Sequence, residues 1–115
     1  GMTFKEDCPD TRNSKVVDII NGLKEYGIEP IIVDPEANEI DANHEHNVTL
    51  TDLCDVSNAD CIVLAVAHKK FKSMTLGDYD KLFINGDNSE KVIIDVKSIL
   101  NRREVEDKKY SYWRL

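Results

Sequence analysis

The chain has 115 residues, which is room for one domain and not for two, and enough to bury roughly two-thirds of its unfolded surface without staples. Hydrophobic residues make up 41% and charged residues 32%, a balance that excludes a disordered chain. Lysine and arginine number 15 against 22 aspartates and glutamates, for a formal charge of -7, so nothing in the overall field favours nucleic acid or an anionic membrane. An anionic ligand would have to be met by a few placed cations. No apolar run is long enough to cross a bilayer, and neither a secretory signal nor a basic leader opens the sequence, so a soluble, cytoplasmic protein is expected.

In chain order, the opening leaves no room for a complete strand: Gly1-Met2 is followed at once by Thr3-Phe4-Lys5. Either Gly1 is foreign to the natural chain or the sequence is part of something longer, and a fragment is the favoured expectation. Asn13 or Ser14 is expected to cap a first helix, whose core stripe is Val16, Val17, Ile20 and Leu23, with Gly27 as its C-terminal stop. Ile28 to Asp34 then reads as a strand ended by the Asp34-Pro35 turn. Asn38 to His46 is polar and weakly helical, Val48 to Leu50 a short strand, and Thr51 the cap of a short helix running to Val56. Asp60 to Ala67 and Lys91 to Lys97 are two further strands, with Met74 to Phe83 as helix and Asn85 to Asn88 as a turn between them. All three main strands are short, β-branched and continuously apolar at the centre, without alternation. That pattern suits a parallel sheet covered on both faces, and the segments between are long enough for crossovers. The fold class expected is therefore α/β: a three-layer, mostly parallel, Rossmann-like sandwich forming a single domain over 1–115. After a charged stretch from Asn101 to Lys109, the aromatic tail Tyr110 to Leu115 is expected to dock on the fold.

Chemical meaning concentrates in the segment from Phe4 to Ser14, which places Lys5, Asp7, Asp10 and Arg12 in a loop feeding a helix start. In α/β folds such loops bind ligands. A lysine there could meet phosphate as a point charge, and an arginine as a two-pronged fork. The same residues also read as a solvated loop stapled by an Asp–Arg pair. Cys8, Cys54 and Cys61 are odd in number, irregularly spaced and without a C-x-x-C, so they are expected to be reduced, with Cys61 buried in its strand. The carboxylates flanking Cys8 oppose thiolate formation and speak against a nucleophile. His44 and His46 share no helical face and have no third ligand partner, so surface positions are expected and no metal site. His68, at the end of an apolar strand, is either a ligand contact or a structural hydrogen-bonding histidine. Neither glycine-rich phosphate-binding motif occurs.

The run FKEDCPDTRNS, Phe4 to Ser14, resembles the signature opening the C-terminal domain of UDP-glucose and GDP-mannose dehydrogenases. It is closest in flavour to the UDP-N-acetylglucosamine and UDP-N-acetylmannosamine 6-dehydrogenases of polysaccharide synthesis. VVDIINGLKEYG, IIVDP, CIVLAVAHKKF and VIIDVKSIL are similar to the successive helix and strands of that domain. The resemblance implies a UDP-sugar-binding domain belonging to an NAD-dependent enzyme that oxidises the sugar C6 hydroxymethyl to a carboxylate. NAD would be held mainly by an N-terminal domain, and the reactive thiol by a central region. It implies Phe4 and Lys5 as contacts to the sugar nucleotide, Arg12 as a contact to NAD, and Arg114 as a looser match to a late substrate-binding arginine. The implied partners are UDP-sugar and the parent's other domains, and the parent is expected to be a homo-oligomer. The glycine-flanked catalytic cysteine and the dinucleotide fingerprint are missing from these 115 residues, so no catalytic residue is expected here and the chain alone should be inactive. Two rivals remain open: a stand-alone, receiver-like ligand-binding or regulatory module, for which Asp34 and Asp95 offer no convincing acidic cluster, and a non-catalytic interaction domain.

Overall fold

The computed structural model describes residues 1–115. Three strands, β1 (Cys61–Leu64), β2 (Val92–Asp95) and β3 (Ser111–Arg114), form an open sheet in that order. Both pairings are parallel, and the register aligns Leu64, Asp95 and Arg114 across the carboxyl end of the sheet. Around it lie α1 (Val16–Glu25), α2 (Glu39–His46), α3 (Lys69–Ser73), α4 (Leu76–Asp80) and α5 (Arg102–Asp107). This is the α/β, Rossmann-like class, with a parallel sheet as the unalternating strands require.

Two apolar clusters divide the molecule. One gathers Met2, Ile20, Ala42 and Val48, with Val16, Val17, Ile32, Ala37 and Leu50 against it. The other gathers Leu76, Phe83, Ile93 and Val105, with Ile62, Leu100, Tyr110 and Tyr112 against it. The apolar stripe of α1 faces the first cluster as its spacing demands, and the helix closes on Gly27 at φ 77°. There Gly27 N–H donates to Lys24 O and Ile28 N–H to Leu23 O, the paired bonds of a Schellman stop.

Several local expectations are corrected. Ile28 to Asp34 is not a strand: its one bridge pairs Ile32 with Leu50, and Ile28 and Ile31 are exposed. Strand composition needs a neighbour to bond to, and beyond this single bridge to Leu50 the segment has none. The expected Val48–Leu50 strand is the other side of that same bridge. Asn13 and Ser14 do not cap α1 at its first position, which Lys15 occupies without a side-chain bond. Ser14 Oγ instead accepts weakly from Val16 N–H (3.3 Å) and donates to Met2 O. Thr51 caps nothing; the short 3₁₀ turn Leu53–Asp55 follows Asp52. The Met74–Phe83 helix shrinks to α4, opened by a Thr75–Asp78 capping box. Cys61 is in a strand but exposed, because it starts β1 at the open edge of the sheet. The aromatic tail does dock, as β3 on β2, and the charged stretch before it forms α5, capped by Asn101 Oδ1 on Glu104 N–H (3.1 Å).

Candidate functional site

Parallel strands deliver their following loops to one end of the sheet, where α/β proteins bind ligands. Here that end carries a buried polar centre made from residues far apart in sequence. Asp34 Oδ2 accepts from Met2 N–H (2.6 Å), Thr3 N–H (3.2 Å) and the His68 ring at Nε2 (2.9 Å). Its Oδ1 accepts from Glu36 N–H (2.8 Å) and Ala37 N–H (2.9 Å). Burial raises the Asp34 pKa, but the bonds from Met2, His68, Glu36 and Ala37 outweigh it and hold the carboxyl below the usual carboxylate range. Every buried side-chain polar atom has a partner, as a centre of this kind demands.

From that centre the loop between Thr3 and Arg12 is braced at each turn. Thr3 Oγ1 donates to Lys5 O (2.9 Å), and Phe4 N–H to Asp10 O (2.8 Å), closing the loop on itself. Asp7 sits at φ 54°, a left-handed backbone that costs an aspartate on the order of 1 kcal/mol. Two bonds hold it there: Asp7 N–H to His68 Nδ1 (2.9 Å), and Lys69 N–H to Asp7 Oδ1 (2.8 Å). Thr11 is clamped from α2, its hydroxyl donating to Glu45 Oε2 (2.8 Å) and its carbonyl accepting from His46 Nε2 (2.7 Å).

Outward from the braces stand Phe4, 56% exposed, Lys5 and Glu6. Lysine and arginine ion pairs form at Arg12–Asp10, Lys81–Asp78, Lys91–Asp80 and Arg102–Glu106; Lys5 is in none of them. Arg12 is placed differently. Its Nε and its Nη2 reach the two Asp10 oxygens at 3.0 and 3.2 Å, the two-pronged staple that the sequence also allowed. The depression it borders, about 380 Å³, is otherwise lined by Pro9, Asp10, Thr11, Asn38, Asp41 and Glu45, and Lys5 is not part of it. Arg114 ends β3 in register with Asp95, at the same carboxyl end of the sheet as His68. Asp95 accepts from Ile99 N–H (3.0 Å), Leu100 N–H (2.9 Å) and the Tyr112 hydroxyl (2.8 Å). Burial and Asp95 together push the Tyr112 phenol up to about 12.

Cys61 is exposed as a residue, but partial desolvation of its thiol, and then the Asp60 charge, raise the thiol pKa. Cys54 stands exposed beside Asp52 and Asp55, and Cys8 is half-buried. No helix is long and apolar enough to cross a membrane. Around the Arg12 guanidinium a pyrophosphate would also face Asp10, Asp41 and Glu45.

Residues 1–102 match the UDP binding domain of the UDP-glucose/GDP-mannose dehydrogenase family. The chain belongs to that family. Among its relatives, the UDP-N-acetyl-D-glucosamine 6-dehydrogenase of Pseudomonas aeruginosa is 43% identical over 101 residues, covering 88% of this chain and 23% of the relative. Protein CapL of Staphylococcus aureus is 36% identical over the whole chain and 26% of its own length. The UDP-N-acetyl-D-mannosamine dehydrogenase of Methanococcus vannielii is 36% identical over 88% of this chain and 22% of its own. The chain thus spans about a quarter of the length of the curated relatives it matches. Phe4, Lys5 and Arg12 lie inside the region matched to the family, and Arg114 lies beyond it. The braces Asp34 and His68 were not singled out as a pair by sequence reasoning. The available signal was a polar residue ending each of two apolar runs, IIVD and CIVLAVAH.

Proposed function

We propose that this domain supplies the nucleotide-binding side of a UDP-sugar 6-dehydrogenase, as its C-terminal domain, with Phe4 and Lys5 contacting the UDP-sugar. The observation that carries the reading is the contrast within one loop. Its backbone is bonded at Thr3, Phe4, Asp7 and Thr11, while Lys5 projects without an internal partner. An ammonium held ready on a fixed loop meets a diphosphate at little ordering cost. Arg114 is proposed as a further substrate contact, and Arg12 as a single guanidinium contact to NAD held by other parts of the parent enzyme. NAD would accept the hydrides removed from the sugar C6, and the thiol and base for that chemistry would come from outside these residues. The chain alone binds nucleotide without oxidising it. The parent's other domains and further copies of it are the proposed partners.

Calorimetric titration with UDP tests this. The 115-residue chain is expected to bind at millimolar affinity or better, and Lys5→Ala to weaken binding by about tenfold to a hundredfold, the worth of one charge-assisted bond. Binding that survives Lys5→Ala unchanged, or no heat from a folded chain, contradicts the reading. The latter result favours an interaction domain without nucleotide.

A further inference from the structure

We infer that His68 is the positioning residue for the Lys5-bearing loop: its two ring nitrogens hold that loop and the buried carboxylate at a fixed separation. The inference rests on the UDP-binding reading and names the residue that makes the loop competent.

The geometry assigns the ring's protons. Asp7 N–H can only donate, so His68 Nδ1 accepts and carries no proton. Nε2 then bears the hydrogen, which points to Asp34 Oδ2 at 2.9 Å with Thr3 Oγ1 at 3.2 Å. Thr3 Oγ1 spends its own proton on Lys5 O (2.9 Å) and is free to accept from the ring. One neutral imidazole therefore satisfies every group around it. Its side chain is fully buried, tilted against Phe71 with ring centroids 5.6 Å apart, and His68 stands immediately before α3, with three residues between it and the end of β1, so the α3 start fixes where it stands. The ring reaches the loop on both sides of Lys5, at Thr3 and at Asp7, while Lys5 itself stays in solvent. Losing Nδ1 as an acceptor would leave Asp7 held at its positive φ by the Lys69 amide alone, and the turn that projects Lys5 would loosen.

Two substitutions separate the ring's halves. In His68→Gln the amide nitrogen can stand where Nε2 stood, keeping the bond to Asp34 but giving Asp7 N–H no acceptor. In His68→Asn the amide oxygen can stand where Nδ1 stood, keeping Asp7 and losing Asp34. For His68→Gln the expected results are a folded chain, Asp7 amide hydrogen exchange faster by on the order of tenfold, and UDP affinity weaker by a similar factor, the worth of one bond. His68→Asn is expected to restore slow Asp7 exchange while lowering the melting temperature. Wild-type UDP binding that is lost in Lys5→Ala but kept within about twofold in a folded His68→Gln overturns this inference and leaves the UDP reading standing. Wild-type protein that binds no UDP overturns both. A measurement independent of any variant is the ¹⁵N spectrum of the wild-type imidazole. An unprotonated Nδ1 bonded to the Asp7 amide supports the inference, and a protonated Nδ1 overturns it.

Discussion

Asp34 and Asp95 each end an apolar run at the carboxyl side of the fold, and each turns a fully buried carboxylate onto the amides that follow it. For Asp34 these are Glu36 and Ala37; for Asp95 they are Ile99 and Leu100. Their remaining partners separate them. Asp95 adds one hydroxyl, Tyr112, from the strand already paired beside it. Asp34 adds the backbone of Met2 and Thr3 and the ring of His68, which no strand pairing brings near. Where a sheet sets the geometry, the aspartate only finishes a turn. Where a single bridge at Ile32 and Leu50 is all the pairing there is, the aspartate is the organiser, and the site-bearing loop hangs from it.

The sharpest way to break that contrast is Asp34→Asn. One side-chain oxygen becomes a donor facing donors, at a cost of about 3 kcal/mol or more, which in a domain of this size lowers the melting temperature by on the order of 10 °C. A pH series sharpens the result. Because the folded-state pKa of Asp34 is depressed, its stabilisation is fully present above the unfolded value of about 4 and is lost as pH falls through the lower folded value. The stability gap between wild type and Asp34→Asn should therefore be widest near neutrality and narrow in acid; a gap independent of pH contradicts the assignment. Tyr112→Phe removes one of the three bonds on Asp95 while both amides stay. The expected cost is about 1 kcal/mol, or roughly 4 °C. If it matched Asp34→Asn, the two aspartates would not differ in kind. The smallest effect is expected at Cys61→Ser, which is exposed at the start of β1 and should shift stability by less than about 0.5 kcal/mol by denaturant titration.

Much of this fold was legible because its signals are local. The α1 stripe, the Gly27 stop and the unalternating runs of β1 and β2 each state their own structure within a few residues. Pairing is not local. Ile28 to Asp34 has strand composition without strand partners, whereas Ser111 to Arg114 becomes β3 on the strength of β2 alongside it. The site divides the same way. Phe4, Lys5 and Arg12 were visible through a contiguous motif, and so was the Asp10–Arg12 staple, two residues apart. The centre behind them joins Asp34 to Met2 and to His68 across 32 and 34 residues, and no periodicity records such a meeting.

The most direct test is to map UDP onto the chain by amide chemical-shift changes during titration. The largest shifts are expected at Phe4 and Lys5 and through the bonded loop to Asp10, with smaller ones at His68. Shifts centred instead on the Asp52–Asp55 turn, or on the hollow between Met74 and Val105 with the Phe4–Lys5 amides unmoved, would contradict the account.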